Sequence, residues 1–305
     1  MSGYIDLQVN GYAGVDFNSD DYSADSLRSV CNRMLADGTE LALATVITAP
    51  LEKMVARISR LASLIESDPI IRGRIGGIHV EGPFLNPAEG YIGAHPTSAS
   101  IPADRDVAMR LLDAGRGHVK LWTLAPERDK GAKVTSFLSQ QDVVVAAGHC
   151  DSTVDQLKEG IDHGLKLFTH LGNGCPGLLP RHDNIVQRVL SLSDQIMISF
   201  IADGHHVPPF ALKNYLKVVP NENIVIVTDA ISAAGLGPGK YELSGQTVEV
   251  DEDGAAWASC RTHFAGCATT FPKMVDVLRQ HVAATDEQIE AWLKNNPARL
   301  LGLSS

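Results

Sequence analysis

Residues 143–171 read VVVAAGHCDSTVDQLKEGIDHGLKLFTHL, and the order of apolar and polar positions within them decides the fold. The opening run, Val143 through Ala147, is short, continuous and β-branched, the pattern of a strand covered on both faces. A stretch of helical period follows, with Val154, Leu157 and Ile161 on one side. A second apolar run then ends at Phe168. Strand, helix and strand within about 30 residues make a βαβ unit, which implies parallel strands. Both strands lead directly into a histidine, His149 and His170.

The same alternation extends in both directions. Strands are expected at YIDLQVN, ELALATVI, RIGGIHVEG, VKLWTLA, VVVAAGHC, LKLFTHL, QIMISFIADG and NIVIVTDA, with amphipathic segments between them. The first of these segments has Ser23 as a candidate N-cap and Gly38 just past its end. After the eighth strand, GPGKYELSGQTVEVDEDGAAWAS alternates and carries turn residues, which predicts a small β-hairpin insertion. The expectation is an α/β (β/α)8 TIM barrel forming a single domain over residues 1–305; an open doubly wound sheet shares the local signature.

Composition narrows the class. The chain has 305 residues, 44% of them hydrophobic, enough to bury a large core. Its formal charge is −10, from 26 Lys and Arg against 36 Asp and Glu, and no basic block occurs. This argues against nucleic acid and anionic membrane as partners. Five scattered cysteines without a C-x-x-C fit neither a disulfide framework nor a zinc ribbon. With no apolar run long enough to span a bilayer and no leader pattern, a cytoplasmic location is expected.

Nearly every strand finishes in residues capable of chemistry: Gln8 and Asn10, His79 and Glu81, His149 and Asp151, His170 and Asn173, Asp203 with His206, and Asp229. In a barrel these ends converge on the face that carries the active site. Glu81, His149 and His170 form a carboxylate and two imidazoles, a set that suits a catalytic zinc with one position left open for water. Asp229 could take a proton from that water and pass it to a leaving group, as in hydrolysis of an amide or ester. Singly, each residue has a plainer reading: a strand-end histidine as framework, Glu81 or Asp229 as a turn cap. Their joint occurrence at successive strand ends favours chemistry.

Taken together, IDLQVNG, GIHVEGPFLN with GAHP, AAGHCDST, FTHLGNG, IADGHHV and VTDAISAAG, in that order across residues 5–235, resemble the N-acetylglucosamine-6-phosphate deacetylases of the amidohydrolase superfamily. NPARLLGL near the end matches as well. The resemblance implies a (β/α)8 barrel that removes acetate from N-acetylglucosamine 6-phosphate, with Glu81, His149 and His170 as metal ligands and Asp229 as general base and later acid. It implies that His95 helps polarise the acetyl carbonyl, that His206 contacts the sugar phosphate, and that Asn173 and the Gly174 backbone add phosphate or hydroxyl contacts. Arg181 resembles a phosphate-binding arginine supplied to the neighbouring subunit's site, which implies a homodimer.

Two departures from the family pattern stand out. Family members carry β structure before and after the barrel, forming a small sandwich; here three residues precede YIDLQ and the sequence stops at Ser305, so that domain is expected to be absent. The family's LAGS segment reads FAGCATTF, with Cys267 in place of serine.

Much of the superfamily ends strand one in His-x-His, whereas here the positions are Gln8 and Asn10. Neutral amides ligate zinc-like ions weakly, so a single divalent metal is expected, zinc foremost with iron, manganese or cobalt also acceptable. Gln8 is expected to hydrogen-bond the water or its neighbours rather than to ligate. Alternatives are the N-acetylgalactosamine 6-phosphate epimer or another N-acyl sugar as substrate, and, in a different class, a non-catalytic sugar-phosphate-binding protein. A Schiff-base aldolase is disfavoured by the lack of a suitable strand-end lysine.

Overall fold

The computed structural model describes residues 3–303, so Met1, Ser2, Ser304 and Ser305 of the expected 1–305 domain lie outside the described residues. Eight parallel strands, β1 (Tyr4–Val9), β2 (Thr39–Ile47), β3 (Ile75–Glu81), β4 (Val119–Leu124), β5 (Val144–Ala147), β6 (Leu165–Phe168), β7 (Met197–Ile201) and β8 (Ile224–Val227), hydrogen-bond in sequence order. A doubly wound sheet reverses its strand order at a switch point; this one does not, and its two ends meet. Val9 pairs in parallel with Ala230, just beyond β8. The Asn10 amide donates to the Ala230 carbonyl at 2.7 Å. Asp6 on β1 accepts from the amide and hydroxyl of Thr228. The result is a nearly closed barrel.

The strands are buried along almost their whole length because helices cover their outer face. Helix α1 (Ala24–Ala36) begins where expected, with the Ser23 hydroxyl accepting from the Ser26 amide at 3.1 Å. Helix α2 (Leu51–Ser67) turns Met54, Ile58, Leu61 and Ile65 inward at helical spacing. Helix α3 (Arg105–Gly115) packs beside it. Between β4 and β5 the helical segment is interrupted: two single turns precede α4 (Lys133–Ser139). Gly131 at φ 70° and Ala132 at φ 47° leave the helical region, and Asp129 accepts from the amides of Val134 and Thr135 to restart it. Helix α5 (Val154–Asp162) carries a capping box from Thr153 and Gln156 between β5 and β6.

Beyond β8, where a hairpin is expected, the chain forms three antiparallel strands, β9 (Gly239–Leu243), β10 (Gln246–Val250) and β11 (Ala256–Ala258). Ser244 and Gly245, both at positive φ, make the two-residue turn that the right-handed strand twist favours. This sheet buries Leu243, Val248 and Val250 against Ile47 and Ile231, a small core of its own at the C-terminal end of the barrel.

Candidate functional site

The last turn of each contributing strand carries the functional side chains, and three of them sit in a backbone region that residues other than glycine seldom adopt. His149 has φ 51°, His170 φ 36° and Asp229 φ 52°. Such conformations cost on the order of 1–3 kcal/mol each and persist where the surroundings hold them. Here the hold is visible: the Asn86 amide donates to the His149 carbonyl (3.0 Å), the His170 amide to Ser199 Oγ (2.7 Å), and the Cys267 amide to the Asp229 carbonyl (2.9 Å). Each strand is thereby turned so that its terminal side chain points into one pocket.

At the centre lies Glu81, 2% exposed. Its Oε1 faces His170 Nε2 at 3.0 Å and His149 Nε2 at 3.3 Å, and accepts from the Gln8 amide at 3.0 Å. Burial pushes the Glu81 carboxyl up, but hydrogen bonds from His149 and His170 outweigh this and hold it well below the usual carboxylate range. His149 is pulled down by burial and up by Glu81, with the upward pull prevailing. Two imidazole nitrogens converging on one buried carboxylate oxygen is the arrangement a shared cation would relieve.

Hydrogen bonding on the far side of each ring bears on which nitrogens could ligate. His149 Nδ1 lies 2.7 Å from the Tyr91 carbonyl and must donate to it, so once Nε2 gives up the proton it shares with Glu81, its lone pair is directed at the cluster. Gly174 makes room for that ring, since a Cβ there would fall 2.8 Å from His149 Nδ1. His95 is the reverse: Nδ1 accepts from the Thr48 amide at 3.3 Å, so the proton is on Nε2, 3.8 Å from Glu81 Oε2. Burial, aided by neighbouring imidazoles, pushes His95 down to about 3, so it is a neutral N–H donor. Ligand atoms of Glu81, His95 and His149 lie within 4.8 Å of one another. His170 Nδ1 is buried without a partner. The residues present fit a divalent cation.

Asp229 faces the same pocket. Burial raises its carboxyl to about 6, with Glu81 also raising it and His170 opposing. Asn10 Nδ2 donates to its Oδ1 at 2.7 Å. The pocket is completed by Asn173, Gly93, Ala94 and Ile47, and by Leu243, Phe264 and Gly266 from beyond β8. None of these lining residues is a lysine or arginine. His206 lies beside the pocket rather than in its wall, bonded through Nδ1 to Asp203 with Nε2 buried and unpartnered. Arg181 is exposed on the loop after β6. Gln8 is drawn into the cluster through Glu81. Cys150, next to His149, is buried at 1% exposure.

His79 stands apart from the other strand-end residues. It is fully buried one layer deeper in the barrel, with Nε2 on Thr123 Oγ1 (2.8 Å) and Nδ1 near the Leu7 carbonyl (3.1 Å), a framework histidine. Sequence reading missed the Asn10–Asp229 bond, the Tyr91 carbonyl, and the contribution of Leu243 and Phe264. Tyr91 acts through its backbone, for which no residue-type signal exists.

No helix among the described residues is long and apolar enough to cross a membrane. No protein-family model matches the chain. The chain is 30% identical over all its length to N-acetylglucosamine-6-phosphate deacetylase of Lysinibacillus sphaericus, spanning 77% of that protein. It is equally 30% identical over 98% of its length to N-acetylgalactosamine-6-phosphate deacetylase of Escherichia coli O157:H7, again 77% of that protein. Among solved structures, a variant of N-acetyl-D-glucosamine-6-phosphate deacetylase from Mycobacterium smegmatis in complex with N-acetyl-D-glucosamine-6-phosphate superposes with a TM-score of 0.88 at 28% identity, covering 99% of this chain and 77% of that one. With the barrel, the strand-end cluster and this extent of similarity in agreement, the chain belongs to the N-acetylglucosamine-6-phosphate deacetylase family.

Proposed function

We propose that this protein is a cytoplasmic, metal-dependent deacetylase of N-acetylglucosamine 6-phosphate, releasing acetate and glucosamine 6-phosphate from one barrel domain. The observation that carries the reading is the Glu81 carboxylate facing His149 and His170 in a pocket that also holds a second, raised carboxyl, Asp229. Glu81, His149 and His170 would hold one divalent ion, zinc by the chemistry of the set, with iron, manganese or cobalt also accepted. When bound, the ion would supply Lewis acidity, polarising the acetamide carbonyl and lowering the pKa of the attacking water so that its proton is more easily removed.

The remaining steps fall to the chain's own side chains. Asn10 occupies Oδ1 of Asp229, so Oδ2 is the atom free to accept the water's proton and return it to the departing amine nitrogen. His95, neutral with its proton on Nε2, donates to the carbonyl oxygen as negative charge develops there. Gln8 fixes the Glu81 carboxylate from the side. His206, Asn173 and the Gly174 backbone bind the sugar and its phosphate. Leu243, Phe264 and Ile47 keep that end of the pocket apolar; in this reading the insertion after β8 serves to cover the site.

The pocket wall has no cation of its own to match a phosphate. Arg181, exposed on its loop two residues beyond the half-buried Leu179, is the guanidinium we assign to the partner subunit's site in a homodimer. The equal identity to an N-acetylgalactosamine-6-phosphate deacetylase keeps the epimer open as a second substrate. The deciding experiment measures acetate release from both sugar phosphates by zinc-loaded protein, beside Asp229→Asn. Turnover of the glucosamine derivative that drops by a factor of roughly 10²–10⁴ in the variant is expected; binding without turnover would instead identify a sugar-phosphate sensor.

A further inference from the structure

A second set of ligand-type side chains lies behind the pocket. Asp203, His206 and Cys267 present a carboxylate oxygen, a ring nitrogen and a sulfur all within 4.8 Å of one another, and the set shares no residue with the Glu81 cluster. Asp203 Oδ1 accepts the amides of His205 (2.9 Å) and His206 (3.0 Å), which locks the carboxylate and leaves Oδ2 to the other two. His206 Nδ1 lies 2.7 Å from Oδ2 and Cys267 Sγ 3.5 Å from it. The sulfur is fully buried and accepts the Thr269 amide at 3.2 Å. Burial and the Asp203 carboxylate beside it push the thiol well above the usual cysteine range, so a proton stays on the sulfur until a cation displaces it.

We propose that Asp203, His206 and Cys267 form an accessory site for a thiophilic divalent cation, filled after the Glu81 site when metal is in excess. Zinc bonds of about 2.3 Å to sulfur and about 2.0 Å to oxygen in a tetrahedron give an S···O edge of about 3.5 Å, the separation already present. The N···O edge has to open by about half an ångström from the hydrogen-bonded 2.7 Å. On binding, the Cys267 thiol proton and the Nδ1 proton shared with Asp203 both pass to solvent, and His206 keeps its proton on Nε2 as a neutral ring. A dication, a thiolate, a carboxylate and a neutral imidazole then make an uncharged assembly, the kind a buried position tolerates. Because those protons must be displaced, this site fills second. The backbone locks on Asp203 and Cys267 supply the orientation that metal ligands need.

One consequence rests on the function proposed above: an ion on Nδ1 replaces the Asp203 hydrogen bond that orients the His206 ring, so excess metal changes the affinity for the sugar phosphate that Nε2 contacts. The site itself is tested independently of activity. Co2+ is titrated into metal-free full-length protein while absorbance is followed. The first equivalent is expected without a thiolate-to-cobalt charge-transfer band, since no sulfur belongs to the Glu81 cluster, and the second equivalent with one. Cys267→Ser should take up one equivalent and show no band; Asp203→Asn should bind the second ion at least ~10-fold more weakly. Saturation of the wild type at one equivalent without the band overturns the proposal whether or not the variants fold, and so does a band that survives in Cys267→Ser. Two equivalents with the band in a protein that fails to release acetate would leave the site standing and the functional reading not.

Discussion

Asn10 Nδ2 donates to Asp229 Oδ1 at 2.7 Å, a bond between the ends of the first and eighth barrel strands. It stabilises the ionised form of a carboxyl that burial has raised to about 6. As the proposed general base, Asp229 must be ionised, so the rate should fall on the acid side of the profile as this carboxyl takes up a proton. Asn10→Ala removes the bond, raises the Asp229 pKa and should move the acid limb of kcat/KM to higher pH, while Asn10→Asp, which adds a like charge, should move it further. Identical limbs in wild type and Asn10→Ala would separate Asn10 from the base.

The Glu81 cluster predicts how the protein responds to losing its metal. An ion bound only by the folded state stabilises it by about 2.7 kcal/mol at a concentration 100 times Kd. Chelation should therefore lower Tm, and zinc should restore it. Glu81→Gln should abolish the response, because the amide that replaces the shared oxygen cannot balance the charge. A Tm indifferent to chelator in metal-replete wild type would remove Glu81, His149 and His170 as a ligand set.

Arg181 allows a test of geometry by mixing. If its guanidinium works in the partner subunit, Arg181→Ala and Asp229→Asn are each inactive as homodimers for different reasons. A mixed dimer contains one complete site: Asp229 from the first variant and Arg181 from the second. Co-refolding the two should restore up to about half the wild-type activity per such dimer, since electrostatic grip on phosphate returns with the guanidinium. No recovery in a verified heterodimer would place Arg181 outside the site or in its own subunit's.

How far these features could be read in advance depends on the distance over which they act. The barrel was legible because each strand is a local apolar run and each ending is a local change of residue type; Glu81, His149, His170 and Asp229 stand out at those endings. What period and propensity do not encode is contact between distant segments. Asn10 meets Asp229 across 219 positions, and Cys267 meets Asp203 across 64. His79 looked equivalent to Glu81 because two positions on a strand share a face; the structure separates them by depth, one layer of side chains inside the barrel. The break before α4 turns on the φ of Gly131 and Ala132, which composition does not set.

Asp6 offers a test of how the barrel closes, separate from the chemistry. It is 1% exposed, and burial raises its carboxyl from 3.8 to about 7 despite hydrogen bonds from Thr228 and Gln8. A carboxyl whose folded pKa exceeds its unfolded value binds more protons when folded, so its stabilising contribution is complete below about pH 4 and is lost as pH rises through about 7. At about 1.4 kcal/mol per pKa unit, the loss is on the order of 4 kcal/mol. Asp6→Asn cannot ionise, yet its Oδ1 can still accept from the Gln8 and Thr228 amides, both at 3.2 Å, while the Thr228 hydroxyl turns to accept from the new amide. In urea unfolding of metal-loaded protein, the stability of wild type minus that of Asp6→Asn should fall steadily from pH 4 to pH 8 and change little beyond. A difference that stays flat across that interval would mean that Asp6 is ionised throughout, and that Thr228 and Gln8 clamp a carboxylate rather than an acid at the seam between the first and last strands.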